Sequence, residues 1–228
     1  MKSYRYEIKF SLDEAMYAEA MSWISVNTEA IKKYNNRIVN SLYFDDTNYS
    51  SLRDNIIGLP ERFKYRLRWY VNNDAKIITC PKFEIKIRSG RLGRKETLDL
   101  IPKTESFESL PLKEIELDLR DELLKSNYIL EDYLSPSLAT AYLREYYEDH
   151  LGLRITIDKN IEFSFVDGIN TKLCDCPKTK YYRYILELKF NPDIKDHVSK
   201  LICELNMTPT RHSKYLVGLA KFGNILYI

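Results

Sequence analysis

Charged residues alternate with large apolar residues along several segments of this chain, with a period of two. Side chains at positions i and i+2 share one face of a β-strand, so this pattern predicts strands with one apolar face and one charged face. In residues 62–69 the charged face is wholly basic, with Arg62, Lys64, Arg66 and Arg68 alternating with Phe63, Tyr65, Leu67 and Trp69. The alternation recurs at Arg5/Glu7/Lys9, Glu84/Lys86/Arg88, Arg154/Thr156/Asp158 and Glu187/Lys189.

Such strands can be packed in two ways. In the first, the charged faces point to solvent and the apolar faces pack on a second sheet, but like charges along one strand repel each other and contribute little stability. If instead the apolar faces pack against covering helices, the charged faces converge in the interior of a barrel. Unpaired buried charge costs roughly several kcal/mol per ion. Such an interior therefore needs a multiply charged anion, such as polyphosphate or a nucleoside triphosphate, to compensate the cations. The carboxylates among these cations would then serve as ligands of a divalent metal or as salt-bridge partners.

The distribution of apolar residues predicts an α+β fold. Strands are predicted at 4–10, 39–45, 62–71, 83–88, 95–100, 140–147, 153–158, 161–166 and 184–190, and a loop at 102–110. Helices are predicted at 12–25, 47–56, the acidic segment near 118–125, 192–205 and 213–222. The hydroxyl of Ser11 and the carboxylate of Glu14 have the spacing of a capping box for the first helix. Because the gaps between strands seldom hold a crossover helix, the strands favour an antiparallel barrel or curved sheet.

Composition excludes several other classes of protein. The 228 residues are 44% hydrophobic, which excludes a disordered chain, and the net charge of +2 does not indicate non-specific binding of nucleic acid. The four cysteines are too few and too irregularly spaced for a disulfide framework, and we expect free thiols. No apolar run approaches the roughly 20 residues that a membrane helix needs, and the first ten residues lack the apolar core of a signal peptide. We therefore expect a cytoplasmic protein.

Taken together, seven segments resemble the vacuolar transporter chaperone (VTC) domain of polyphosphate polymerases, a branch of the triphosphate tunnel metalloenzymes, also called CYTH-like proteins. They are RYEIK at 5–9, SLYFDD at 41–46, KYRLRWY at 64–70, FEIK at 83–86, LRITID at 153–158, ILELK at 185–189 and HSKY at 212–215. They occur in the family's order and run through almost the whole chain. The resemblance implies a single domain over residues 1–228, built as an eight-stranded antiparallel β tunnel barrel with helices on the outside.

The resemblance also implies the activity and its residues. A nucleoside triphosphate such as ATP binds with a divalent metal, manganese or magnesium, and its γ-phosphoryl group passes to a growing polyphosphate chain. The residues that match catalytic positions are Lys9, Arg66, Arg68, Lys86, Lys95 and Lys214. Arg144, Arg154 and Arg211 match substrate-binding positions, and Glu187 matches the metal ligand. The alternating charged faces add Lys189 to the substrate-binding residues and Glu7 to the metal ligands.

Departures from the family pattern leave alternatives open. Arg5 stands where hydrolase relatives carry a glutamate, which favours the polymerase branch. The sequence shows no phosphate-sensing SPX domain and no membrane helices, so coupling to translocation requires a separate membrane partner. A triphosphatase or tripolyphosphatase on the same barrel is the alternative enzyme, and a polyphosphate-binding subunit without catalysis is the alternative outside enzymes. No nucleic-acid partner is expected.

Overall fold

The computed structural model describes residues 5–72, 81–90, 92–100, 109–126, 133–166 and 171–223. These residues form nine strands: β1 Tyr6–Leu12, β2 Ile31–Asp45, β3 Glu61–Asn72, β4 Lys82–Ser89, β5 Leu92–Asp99, β6 Ser135–Glu148, β7 Arg154–Phe165, β8 Lys178–Tyr181 and β9 Tyr184–Phe190. The α-helices are α1 Glu14–Asn27, α2 Ser50–Ile57, α3 Leu112–Lys125, α4 Lys195–Leu205 and α5 Lys214–Lys221. Short 3₁₀ turns lie at Leu173–Asp175 and Pro192–Ile194. The predicted α+β class is therefore confirmed.

The strands form an antiparallel sheet in the order β1-β9-β7-β6-β2-β3-β4-β5, with β8 paired to β7. Within the described residues no pairing joins β5 to β1, so the sheet is not closed into a barrel. The sheet has nine strands rather than eight, because Lys178–Tyr181 adds a short strand. The two strands predicted at 153–158 and 161–166 are one strand, β7, which continues through Asn160 at a φ of 53°.

The start of α1 corrects the predicted capping box. The N-cap is Asp13, whose carboxylate accepts a hydrogen bond from the Met16 backbone N–H at 3.0 Å. Ser11 belongs to β1, where its backbone takes part in the pairing with β9. Since the strand continues to Leu12, Ser11 cannot occupy the N-cap position, and Glu14 lies in the first turn. The loop predicted at 102–110 lies largely outside the described residues, as does Cys80, whereas Cys174, Cys176 and Cys203 are free thiols.

Contacts divide the chain into two compact units, and unit 1 comprises residues 1–38, 142–161 and 180–213. Its core lies between one face of strands β1, β9 and β7 and the helices α1 and α4. Phe10, Ile155 and Leu188 from the strands pack with Trp23 of α1 and Val198 of α4, and all of these side chains are buried. The apolar faces of the alternating strands are thus covered by helices, as the second of the two predicted packings requires.

Unit 2 comprises residues 39–141, 162–179 and 214–228. Its core lies between the apolar faces of β3 and β4 and the helix α3, and includes Leu67, Trp69, Phe83 and Ile115. α3 has alternating acidic and apolar residues, and its apolar side is the one that packs into this core. In unit 2, as in unit 1, a helix covers the apolar face, so the charged side chains at alternate positions point away from it.

A close approach at Gly218 of α5 gives the first testable prediction. A Cβ atom at this position would lie 2.5 Å from Leu138 Cδ2 and 2.9 Å from Phe163 Cδ1. Overpacking of this kind typically costs about 1 to 3 kcal/mol, so we expect Gly218→Ala to lower the thermal unfolding midpoint by several degrees. Gly93→Ala is the matched control, because the nearest atom to its Cβ would be 3.9 Å away. Equal midpoints for the two variants would contradict the packing of α5.

In the part of the chain that the structure describes, no helix combines the length and apolar character needed to cross a membrane.

Candidate functional site

In unit 2 the basic residues of β3, β4 and β5 are grouped around the carboxylate of Glu84. In the strand register, Glu84 of β4 lies opposite Arg66 of β3 on one side and opposite Thr97 of β5 on the other. Arg66 Nε and Nη2 lie 2.7 Å and 2.6 Å from Glu84 Oε2, and Lys95 Nζ lies 2.7 Å from Oε1. Arg68 Nη1 is 3.8 Å from the same carboxylate. The structure therefore brings three of the predicted catalytic residues together around one buried acid.

Glu84 is ionised in this surrounding. Burial raises the pKa of its carboxyl group, but the charges of Arg66, Arg68 and Lys95 outweigh burial and hold the pKa well below its usual range. The contacts with this one carboxylate fix the three cations in place. The sequence left open whether Glu84 binds a metal or forms salt bridges. In this structure Glu84 forms salt bridges.

The remaining predicted residues of unit 2 extend this basic face. Lys86 of β4 lies directly opposite Lys64 of β3 and Lys95 of β5. Lys86 is two residues from Glu84, so the three lysine side chains share a face with Glu84. Lys86 is half-buried, and Lys214 is the half-buried first residue of α5. Lys95 is paired with Glu84 at 2.7 Å, so this row of lysines lies beside the buried carboxylate.

In unit 1 the charged faces of β1, β9 and β7 are in register. Lys9 is opposite Glu187, and Glu187 is opposite Thr156. One step along the strands, Glu7 is opposite Lys189, and Lys189 is opposite Arg154. Five of the predicted site residues therefore lie in two rows across three neighbouring strands, on the face opposite the helix-covered core. Their signs alternate between β1 and β9, whereas Lys189 and Arg154 are like charges.

Arg144 of β6 is anchored to this face by Asp158 of β7. Its Nε lies 2.5 Å from Asp158 Oδ1 and its Nη2 lies 2.8 Å from Oδ2, which is a bidentate pair. Asp158 is completely buried and Arg144 is nearly so. Burial lowers the pKa of the guanidinium, but Asp158 and Glu187 raise it well above its usual value, so Arg144 stays charged.

Glu187, the predicted metal ligand, is a buried carboxylate surrounded by cations. Lys189 Nζ lies 2.5 Å from its Oε1, and Arg144 Nη2 lies 3.7 Å from its Oε2. Burial raises the pKa of Glu187, but Lys189, Lys9 and Arg144 outweigh burial and hold that pKa well below its usual range. Glu7, the second predicted ligand, pairs with Lys9 at 2.9 Å.

These carboxylates fit a divalent ion that is shared with a phosphate substrate. No group of three or more metal-ligating side chains occurs within the described residues. Mg²⁺ and similar ions, however, are usually held by only one or two carboxylates together with substrate phosphates and water. Glu187 is ionised, and Glu7 lies on the diagonal from it across β1 and β9, at a Cα separation of about 7 to 8 Å. Glu187 and Glu7 as metal ligands therefore stay a prediction, in which the substrate would supply the other ligands.

Two predicted binding residues lie apart from these contacts. Arg154 is half-exposed, and its Nε is 3.8 Å from Glu148 Oε2. Arg211 is exposed in the segment between α4 and α5. Both remain predictions as phosphate ligands.

Sequence reasoning did not assign Asp158, or the group formed by Asp45, Ser137 and Tyr215. Tyr215 donates a hydrogen bond to Asp45 Oδ2 at 2.6 Å, and its hydroxyl lies 3.3 Å from Ser137 Oγ. Burial raises the pKa of Asp45, and burial together with Asp45 raises that of Tyr215 far above its usual value. The alternation did place Asp158 on the charged face with Arg154, but no local signal identifies Arg144 as its partner.

The lowered pKa values predict how stability depends on pH. Glu84, Glu145 and Glu187 all have pKa values below the ordinary 4.5 in the folded protein. As the pH falls below about 5, the unfolded chain binds protons at these groups before the folded protein does, so folding stability decreases. We expect the urea midpoint to fall between pH 6 and pH 3, and to fall less in Glu84→Gln. A Glu19→Gln variant, changed at an exposed position of α1, should follow the wild type, and an unchanged slope in Glu84→Gln would contradict the assignment.

A model of the VTC domain family matches residues 4–223. The chain belongs to the VTC domain family. A search among curated proteins gave no match.

Solved structures show the same fold at low sequence identity. PH1819 from Pyrococcus horikoshii OT3 superposes with a TM-score of 0.54 at 13% identity, covering 96% of this chain and 99% of the other. A candidate adenylyl cyclase from Hippeastrum, HpAC1, reported to have a dominant triphosphatase activity, gives 0.51 at 15% identity, covering 98% and 97%. A candidate adenylate cyclase from Vibrio parahaemolyticus gives 0.52 at 12% identity, covering 95% and 99%.

Proposed function

We propose that this protein is a polyphosphate polymerase that moves the γ-phosphoryl group of ATP onto a growing inorganic polyphosphate chain. The observation that carries the proposal is the same in both units: cations lie on the strand faces opposite the helix-covered cores, held by buried carboxylates in fixed geometry. Membership of the VTC domain family supports a phosphate substrate. Phosphoryl transfer needs in-line positioning and neutralisation of charge, and this arrangement can supply both.

Each group of residues has a role in the proposal. Arginines bind phosphate in a fixed bidentate geometry, so they would hold the triphosphate, and lysines act as mobile point charges on the transferring and acceptor phosphates. The arginines are Arg66, Arg68, Arg144, Arg154 and Arg211, and the lysines are Lys9, Lys86, Lys95, Lys189 and Lys214. Glu187 and Glu7 would hold a manganese or magnesium ion, which supplies screening of charge on phosphate oxygens. An acceptor phosphate is already anionic near neutral pH, so no strong base is needed.

The proposal includes the finer points of the predicted architecture. The sheet would close into the tunnel barrel expected for the family, with residues 1–228 acting as one domain. A tunnel would retain the product chain between additions and allow successive transfers. We also propose a cytoplasmic location, with a separate membrane protein as the partner if synthesis is coupled to translocation.

Triphosphate hydrolysis is the second candidate function. The dominant triphosphatase activity reported for HpAC1, which shares this fold, favours it. The same cations would position a triphosphate for attack by water instead of by a phosphate acceptor. A third possibility, a subunit that binds polyphosphate without catalysis, predicts tight binding and no turnover.

One experiment separates these functions. Purified protein is incubated with ATP and manganese, the products are run on a gel stained for polyphosphate, and ADP and free phosphate are measured in parallel. The proposal predicts long chains and one ADP per phosphate added, and much slower synthesis in Arg66→Ala. Free phosphate without chains would instead identify a triphosphatase. Binding without either product would identify a non-catalytic subunit.

A further inference from the structure

Arg37 of β2 is held by two tyrosine rings in unit 1. Its guanidinium carbon lies 5.3 Å from the ring centroid of Tyr34 and 6.0 Å from that of Tyr146. The two rings meet edge to face, with centroids 5.8 Å apart and an interplanar angle of 86°. Both distances are within the range of cation–π attraction. These contacts fix the guanidinium plane without neutralising its charge or occupying its N–H donors.

Arg37 differs in this respect from the arginines already assigned to the site. Arg66, Arg144 and Arg154 each have a carboxylate within 4.0 Å. Within the described ranges no carboxylate lies that close to Arg37, and no described residue accepts a hydrogen bond from it. The side chain is half-buried, so its donors are partly removed from water. A fixed, partly desolvated guanidinium with its donors available is suited to a planar or tetrahedral oxyanion.

The position of Tyr146 places Arg37 on the charged face of the unit. Tyr146 is two residues after Arg144 on β6, so the two side chains share one face of the strand. Tyr147 and Glu145 occupy the other face, where Tyr147 packs against the apolar core. Arg37 stacks on Tyr146 and therefore lies on the same side of the sheet as Arg144, about two residues, or 7 Å, further along β6.

We propose that Arg37 is a further phosphate-binding residue, which extends the cationic face beyond Arg144 and binds oxygens of the same polyanion. This inference rests on the proposed function of the site. Phosphate oxygens are the expected ligand because the guanidinium keeps its charge between two neutral rings, and because it occupies a face of the rings on which a base would stack. The phosphate could belong to ATP or to an inorganic chain, which share the same chemistry.

The test compares three variants of the full chain by calorimetric titration with tripolyphosphate and, separately, with ATP. Arg37→Gln removes the charge, and we expect its dissociation constant for both ligands to rise about tenfold, the typical effect of losing one charge-assisted contact. Arg37→Lys keeps the charge but loses the paired N–H donors of the guanidinium, so its dissociation constant should lie between those of the wild type and Arg37→Gln. Arg120→Gln is the matched control, because Arg120 also lies over a tyrosine, 5.9 Å from the Tyr133 centroid, but on α3, the helix that covers the apolar core of unit 2. Its affinity should equal that of the wild type.

Each other result overturns a specific step. Unchanged affinity in Arg37→Gln, while the wild type binds, would overturn the role of Arg37 and leave the proposed function intact. An equal loss in Arg120→Gln would show a general charge effect rather than a site. A loss for ATP alone would show that Arg37 contacts the nucleoside. Absence of tripolyphosphate binding by the wild type would overturn the proposed function itself. The thermal midpoint of Arg37→Gln without ligand, expected to be close to that of the wild type, shows whether the variant is folded.

Discussion

An Asp158→Ala variant is expected to lose about 3 to 5 kcal/mol of folding free energy, a loss that a single domain of ordinary stability barely survives. Asp158 is completely buried and forms both hydrogen bonds that anchor the Arg144 guanidinium. Removal of its carboxylate leaves Arg144 buried beside Glu187 alone, at 3.7 Å. A buried cation that loses its main partner keeps the cost of desolvation without the compensating attraction.

Denaturant unfolding, followed by circular dichroism, measures this loss. For a chain of this length we expect the thermal midpoint to fall by about 10 °C or more. Asp99→Asn is the control, because Asp99 also pairs with a cation, Lys82 at 2.8 Å, but is largely exposed, and should change little. The double variant Arg144→Met/Asp158→Leu removes both charges and should recover most of the stability while binding tripolyphosphate more weakly. If Asp158→Ala unfolds at the wild-type midpoint, the pair is not the anchor described above.

Alternation of charged and apolar residues was sufficient to predict most of the sheet. β3, β4 and β9 lie within one residue or two of their predicted positions, because the period of two is uninterrupted there. The first half of β2, from Ile31 to Ile38, was not predicted as a strand. Its residues are mostly exposed, so burial imposes no apolar pattern on them. β7 was predicted as two strands because Lys159 and Asn160 interrupt the apolar period, although asparagine tolerates the positive φ that lets the strand continue.

The residue types of the candidate site could also be predicted from the sequence, but their pairings could not. Glu84 was placed on a charged face, yet its contacts with Arg66 and Lys95 depend on which strands are neighbours and in which register. The same holds for Arg144 and Asp158, which lie on β6 and β7. Arg37 carries no local signal at all, because it lies in a strand segment whose sequence does not alternate, and one of its two aromatic contacts, Tyr146, lies on another strand.

Glu187→Gln should have the largest effect on the proposed reaction, lowering the rate of ATP turnover about 100-fold or more. In the proposal this carboxylate is the main protein ligand of the divalent ion. Metal stabilisation of phosphoryl transfer is worth roughly several kcal/mol, and each 1.36 kcal/mol is a factor of ten in rate. Binding of tripolyphosphate without metal should behave in the opposite way. Loss of a negative charge beside the anion removes repulsion, so metal-free affinity should stay equal or rise by a few fold.

The opposite signs of these two effects separate a metal ligand from a purely structural acid. Turnover is measured over a range of manganese concentrations, and binding is measured in the presence of a chelator. Glu145→Gln is the control, because Glu145 is also a buried carboxylate paired with a lysine, Lys159 at 2.5 Å, but lies on the other face of β6. It should retain turnover. If Glu187→Gln weakens metal-free binding as strongly as it slows turnover, Glu187 acts by positioning Arg144 and Lys189, and the metal must be held elsewhere.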